Sequence, residues 1–352
     1  MPRRRNLFSI ARRPSLRLLS STFTALGRLL RATPAPKARA KSKPIIEPKP
    51  KVRAKARTTT QALPGFTRHL LNAGGHRHSF HVFIPSAHTA APGERLPLLV
   101  MLHGCKQDGP DFATGTRMNA LADRLGFIVV YPEQAARANG MKCWNWFEPQ
   151  HQSQGGEPGV IAAITRRVIR SARADPARVY IAGLSAGGAM ALTVAHQFPE
   201  IFAAVGVHSG LPQGAAISAG GALAAMRSGA AMAVVARASR PLPTIVFHGT
   251  HDRVVHAANG QRIVAQALTA FQLSGLVLAD AGTPPAPGRR LYSDAAGRPQ
   301  VEAWELRGVG HAWSGGDAAG GFTAPSGPDA SAALMDFLLR HRRMAETASL
   351  NL

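Results

Sequence analysis

The sequence has few cysteines, few acids and no long apolar runs, and each shortage excludes something. Two cysteines, Cys105 and Cys143, are too few for a disulfide scaffold, and no Cys/His cluster has the spacing of a structural zinc site. The pair allows one bridge or two thiols. No apolar run reaches the roughly 20 residues that a membrane-spanning helix needs. Acids number 19 against 42 Lys and Arg, and the imbalance is local. Residues 1–60 hold seventeen basic residues and a single acid, Glu47, so +16 of the net charge of +23 belongs to this arm. A strongly basic balance ordinarily points to nucleic acid or an anionic surface. Here it is a property of the arm, and no specific nucleic-acid partner is expected.

What is present is enough apolar content, 45% of 352 residues, to bury one full catalytic core. The expected division is a basic arm and linker over 1–60, a catalytic domain over 61–343 and a short tail over 344–352. Residues 1–32 mix Arg with Leu, Ile and Phe, which reads either as a basic amphipathic helix for a surface or as an unstructured extension. Leu18 to Leu26 also has the outline of a secretion signal, but the apolar segment is short and Arg28 and Arg31 interrupt its continuation. Residues 33–60 carry Pro34, Pro36, Pro44, Pro48 and Pro50 among basic residues and read as a linker.

Beyond the arm, short apolar runs alternate with amphipathic stretches, the pattern of a mostly parallel sheet flanked by helices. Strands are expected at Phe80–Ile84, Leu98–Leu102, Phe127–Tyr131, Val179–Ala182, Ala203–Val207, Thr244–Phe247 and Val301–Leu306. Helices are expected at Thr116–Leu125, Val160–Arg173, Gly187–Gln197 and Asp329–Arg340. The Ala/Gly-rich stretch Gln213–Ser239 is readable either as a small helical excursion or as filler.

The chemistry-bearing pattern is Gly183-Leu184-Ser185-Ala186-Gly187. A serine hydroxyl needs a positioned base, an orienting acid and donors for the developing oxyanion. The five-residue match alone is weak, but here a strand feeds into it and an amphipathic helix comes after, which is the setting of a nucleophile elbow. In such sites the acid and then the histidine follow the serine. Among His196, His208, His248, His251, His256, His311 and His341, only His311 lies in a Gly-rich loop just after a late strand. His208, beyond a strand end, is the weaker rival and a pocket candidate. Among Glu200, Asp252, Asp280, Asp294, Glu302 and Glu305, Asp252 follows the strand Thr244–Phe247, where catalytic groups of open sheets gather; Asp280 is next. The oxyanion donors are expected to be the backbone N–H of Ala186 and that of Cys105, in His103-Gly104-Cys105 after an early strand. An ordinary strand-to-loop turn is the alternative for the second.

With these residues in place, the chain resembles the polyhydroxybutyrate depolymerase family of esterases, related to feruloyl and acetylxylan esterases. The segments that carry the resemblance are Leu102-His103-Gly104-Cys105, Tyr131-Pro132-Glu133-Gln134, Cys143-Trp144-Asn145-Trp146-Phe147, Gly183 to Met190 and Gly310-His311-Ala312-Trp313-Ser314-Gly315-Gly316. It covers residues 65–342 and implies an α/β-hydrolase fold, a Ser185–Asp252–His311 triad, an oxyanion contribution from Cys105, and no metal or cofactor. It also implies that the two cysteine segments lie near the site, where a Cys105–Cys143 disulfide and two buried thiols are the alternatives. Trp144, Trp146 and Trp313 are candidates for an apolar wall facing the substrate, with core packing the default reading for the first two and pocket contact favoured for Trp313, two residues from His311.

Secreted polymer-degrading members add a linker and a binding domain after the catalytic domain, whereas this sequence stops soon after Arg340. The expected substrates are therefore soluble hydroxyalkanoate oligomers or short acyl esters, or the polymer of an intracellular granule. Feruloyl or acetylxylan esters are the alternative, and the same triad type also cleaves amides. Residues 1–60 are the expected contact to a granule or anionic surface. The resemblance favours an extracellular location, while the interrupted apolar segment favours a cytoplasmic or granule-associated one.

Overall fold

The computed structural model describes residues 65–90, 94–231, 241–280, 282 and 286–343, all within the compact unit Thr60–Leu352. The expectations for the arm, the tail and the end of the Ala/Gly-rich stretch lie outside the described residues.

Ten strands form one sheet. In chain order they are β1 (Phe66–Ala73), β2 (His76–Phe83), β3 (Leu98–Leu102), β4 (Ile128–Pro132), β5 (Val179–Leu184), β6 (Ala204–His208), β7 (Thr244–Gly249), β8 (Ala279–Asp280), β9 (Arg289–Ser293) and β10 (Pro299–Leu306). Their spatial order is β1-β2-β4-β3-β5-β6-β7-β10-β9-β8. The six strands from β4 to β10 run parallel, and antiparallel strands close both edges. This is the mostly parallel α/β-hydrolase-type sheet that the sequence pattern predicts, with helices on its two faces.

The helices are α1 (Ser86–Ala90), α2 (Gly109–Thr116), α3 (Met118–Leu125), α4 (Gly156–Ser171), α5 (Ala186–Gln197), α6 (Ala219–Ser228), α7 (Ala258–Leu273) and α8 (Ala330–Leu338). Strand residues alternate between two cores, as the two-residue period of a strand requires. Leu98, Val100 and Leu102 of β3 and Val179 and Ile181 of β5 pack with α4, α5 and α7. Leu99 and Met101 of β3 and Tyr180 and Ala182 of β5 pack with α2, α3 and α8 on the opposite face. Because both faces are covered, the central strands read as continuous apolar runs.

One helix start differs from expectation, and one open reading is decided. The helix expected from Thr116 begins at Met118, because Arg117 adopts a left-handed conformation (φ 54°) that ends α2 and separates it from α3. The Ala/Gly-rich stretch contains α6, started by Ser218, whose side chain accepts the N–H of Gly221. Among the described residues no helix is long and apolar enough to cross a membrane.

Candidate functional site

The parallel strands point their carboxyl ends to one edge of the sheet, and the candidate residues collect there. Strand β5 ends at Leu184 and helix α5 starts at Ala186, which leaves Ser185 alone to turn the chain, at φ 59° and ψ −123°. A positive φ on a residue with a Cβ is strained and marks a functional constraint. Close packing enforces this turn. A Cβ on Gly183 would lie 2.4 Å from the carbonyl carbon of Gly187, and one on Gly187 would lie 2.2 Å from the carbonyl oxygen of Leu102. The two glycines therefore let the elbow fold on itself and seat the start of α5 against the end of β3. Ser185 is 8% exposed, and its N–H donates to the carbonyl of His208 at 2.9 Å.

Asp252 follows β7. Its Oδ1 accepts the backbone N–H groups of Val254 and Val255 at 2.9 and 2.8 Å, and its Oδ2 lies 2.7 Å from Nδ1 of His311. Burial raises the Asp252 pKa, but the His311 hydrogen bond and the two backbone donors outweigh it and hold the carboxyl below its ordinary value. An ionised carboxylate only accepts, so His311 carries its proton on Nδ1 and leaves Nε2 free as a base. The loops bearing the two residues are joined by His251 N–H to Val309 O at 3.0 Å, Thr250 N–H to Leu306 O at 3.0 Å and Gly308 N–H to Thr250 Oγ1 at 3.0 Å. Asp280, the second candidate acid, lies exposed on edge strand β8 and accepts the N–H of Gly282.

The third part is the loop after β3. His103 donates from Nδ1 to Gly104 O at 2.8 Å, and its Nε2 accepts the N–H of Gln134 at 3.1 Å. Burial pulls the His103 pKa down, consistent with this neutral tautomer. Cys105 is bridged to Cys143, with S–S 2.07 Å and Cα–Cα 4.2 Å, so of the two cysteine readings the disulfide is the one found. Lys106 N–H donates to Met141 O at 2.7 Å, and Trp144 Nε1 donates to His103 O at 3.1 Å. Among the described residues, the N–H groups of Cys105 and Ala186 are spent on no hydrogen bond. The Gly187 contact with Leu102 and His103 sets the start of α5 beside this loop.

Behind the loop stands Glu157, in the first turn of α4. Its carboxylate accepts from Gln134 Nε2 at 2.5 Å, Asn145 N–H at 2.8 Å and Asn145 Nδ2 at 2.7 Å, while Gln134 Nε2 also reaches Cys143 O at 3.0 Å. Burial pushes the Glu157 pKa up against the pull of His151 and these donors. This network ties the 133–147 segment to α4, while the Gln134–His103 and Trp144–His103 hydrogen bonds and the disulfide join it to the loop after β3. Glu157 sits in no recognisable motif, so nothing in the sequence marks it. Gln134 and His103 lie within the family-like segments, but nothing local assigns them a role.

The residues expected to line a pocket, Trp144, Trp146, Trp313 and His208, are buried. Trp313 is 2% exposed, edge-on to Phe112 and stacked on His208 at 5.0 Å between centroids, with Nε1 donating to Ser331 Oγ at 3.0 Å. His208 is likewise enclosed, with Nδ1 at 3.1 Å from Ser209 Oγ and Nε2 accepting the N–H of Ser314 at 3.1 Å. Burial lowers its pKa to about 3. Trp144 supports the His103 carbonyl, and Trp146 packs edge-on to Phe147 at 5.6 Å. Among the described residues no group of three or more His, Cys, Asp or Glu is placed to hold a metal ion.

The chain is similar to several known proteins. The chain is 34% identical over 228 residues to poly(3-hydroxyalkanoate) depolymerase C of Paucimonas lemoignei, covering 61% of this chain and 54% of that protein. It is 32% identical over 134 residues to feruloyl esterase B of Neurospora crassa, covering 37% and 43%. The chain thus spans about half the length of the curated relatives it matches. Among solved structures, the acetyl xylan esterase of Aspergillus awamori superposes with a TM-score of 0.60 at 20% identity, covering 77% of this chain and 98% of that one; it shares the fold. The model of the family described as Esterase PHB depolymerase matches residues 78–286, most of the chain and three of the four site loops, and to that family the chain belongs.

Proposed function

We propose that this protein hydrolyses carboxylic esters through an acyl intermediate on Ser185. The observation that carries the reading is the hydrogen bond between His311 Nδ1 and Asp252 Oδ2 at 2.7 Å, formed at the same sheet edge as a serine held at positive φ. In this mechanism His311 Nε2 takes the Ser185 proton as Oγ attacks the ester carbonyl. Asp252 holds the tautomer and stabilises the imidazolium without itself accepting the proton. The oxyanion is met by the N–H groups of Ala186 and Cys105, aided by the α5 N-terminus. His311 then protonates the leaving alcohol, and a water attacks the acyl-serine by the same route in reverse. Purified protein is expected to cleave short-chain p-nitrophenyl esters, and Ser185→Ala to abolish this. Undiminished turnover in that variant contradicts the proposal.

For the substrate, the depolymerase relative and the family match support hydroxyalkanoate oligomers or short acyl esters. The feruloyl and acetylxylan esterase relatives support the second reading, an aryl or sugar ester. Rates on hydroxybutyrate oligomers set against feruloyl and acetyl esters separate the two. The +16 charge of residues 1–60 supports a role in attachment to a polymer granule or other anionic surface. Deleting the arm is expected to abolish salt-sensitive surface binding while leaving ester turnover intact, and unchanged binding removes the arm from that role.

A further inference from the structure

The segment that presents Asp252 runs from Gly249 to Val255, and its two ends meet on one side chain. His248, the penultimate residue of β7, reaches across so that its Nε2 lies 2.9 Å from the carbonyl oxygen of Val255. The same nitrogen lies 3.5 Å from Asp252 Oδ2, the carboxylate oxygen that His311 uses. A carbonyl can only accept, so Nε2 carries the proton. That N–H is spent on the end of the loop, with Asp252 Oδ2 close beside it.

The ring is fixed from behind by α7. A Cβ on Gly260 would fall 2.8 Å from His248 Cβ and 2.9 Å from its Nδ1, so the helix comes as close as the absence of a side chain allows. Nδ1 is buried without a hydrogen-bond partner among the described residues. A buried polar atom left unpaired calls for a reason. An apolar side chain would fill the space without that penalty, but it would lack the N–H.

Charge also matters. Burial lowers the His248 pKa despite the Val255 carbonyl and the Asp252 carboxylate, so the ring donates as a neutral group. A Lys or Arg at this place would neutralise the charge that Asp252 must offer to the His311 imidazolium. A neutral donor closes the loop that carries the carboxylate and leaves the carboxylate charge available.

We propose that His248 is a positioning residue for the reaction: its Nε2–H closes the 249–255 loop on Val255 and fixes Asp252 Oδ2 in line with His311. The proposal rests on the triad reading above. His248 touches no reacting atom and acts through Asp252.

The test compares kcat, KM and Tm on a p-nitrophenyl ester for His248→Leu, His248→Gln and His248→Asn in the full chain, with Ser185→Ala as control. The amide nitrogen of Gln falls near the place of Nε2, whereas that of Asn falls near Nδ1. Leu and Asn are expected to lower kcat by roughly tenfold or more, since small displacements of a catalytic group have effects of that size, with KM unchanged. Gln is expected to restore most of kcat. If Leu fails to fold, the contrast of Gln with Asn carries the test. Equal kcat in Gln and Asn, or a loss that follows Tm rather than the position of the amide, overturns the role of His248. Turnover by Ser185→Ala overturns the triad reading itself. An inactive Ser185→Ala beside fully active Leu and Asn variants removes only the role of His248.

Discussion

The imidazole of His208 accepts the backbone N–H of Ser314 at 3.1 Å. The carbonyl of the same residue accepts the N–H of Ser185 at 2.9 Å. One residue at the end of β6 thus references the serine elbow and the loop after His311 to each other. His208→Phe keeps an aromatic ring between Phe247 and Trp313 but leaves the Ser314 N–H without an acceptor. We expect kcat to fall at least tenfold, the scale of misplacing a catalytic group, and stability to fall by about 1–3 kcal/mol, the cost of one buried unpaired donor. Steady-state kinetics and urea unfolding of the variant read the two effects.

Asp252→Asn keeps the size of the acid and changes its chemistry. The amide presents a donor or a weaker acceptor to His311 Nδ1, favours the wrong tautomer and removes the charge that stabilises the imidazolium. A kcat loss on the order of 10³–10⁴ is expected, the size seen when a triad acid becomes an amide, with little change in thermal midpoint. Kinetics at saturating ester check it.

The Cys105–Cys143 bridge, which spans 38 residues, ties the loop that carries the proposed Cys105 oxyanion donor to the segment anchored by Gln134 and Glu157. In denaturant without reductant, no thiol is expected to react with Ellman's reagent, and two are expected after reduction. Cys143→Ser should cost about 2–4 kcal/mol of stability, typical of a lost disulfide, and should lower kcat more than it raises KM.

His196, His208 and His341 are among the histidines enclosed in neutral form. Burial depresses His208 to about 3, and His196 and His341 to about 4 each, from an ordinary 6.5. The unfolded chain therefore binds more protons than the folded one in this range, so these groups contribute stability above pH 6.5 and lose it as pH falls through 6.5 toward 4. Urea midpoints are expected to fall between pH 7 and pH 5. His196→Gln, which removes one of the three titrations, is expected to make that decline shallower.

The central strands and the triad candidates are legible in the sequence because their signals are local. Apolar runs mark strands covered on both faces, and Ser185, Asp252 and His311 each directly follow such a run in the expected order. Strands β1 and β9 and helix α7 are not legible in the same way. Residues Phe66–Ala73 alternate exposed Arg68 and Leu70 with half-buried neighbours, so they lack an apolar run, although Gly74-Gly75 at positive φ is a hairpin signal between β1 and β2. Contacts that join loops are silent in one dimension. Gln134 meets Glu157 across 23 residues and Ser314 meets His208 across 106, and no periodicity encodes either. Nearness in sequence to His311 does not reveal the packing of Trp313. The chain turns at Ala312, whose N–H donates to Gly310 O at 3.0 Å, and carries the indole into the core two residues after His311.

The most direct measurement is to treat the full chain with a phosphonate ester and locate the adduct by peptide mass spectrometry. One phosphonyl group per chain is expected, on Ser185, absent in Ser185→Ala and strongly slowed in His311→Ala, with loss of esterase activity in proportion to labelling. An adduct on another residue, or ester turnover that survives complete labelling of Ser185, would contradict the assignment of Ser185 as the nucleophile.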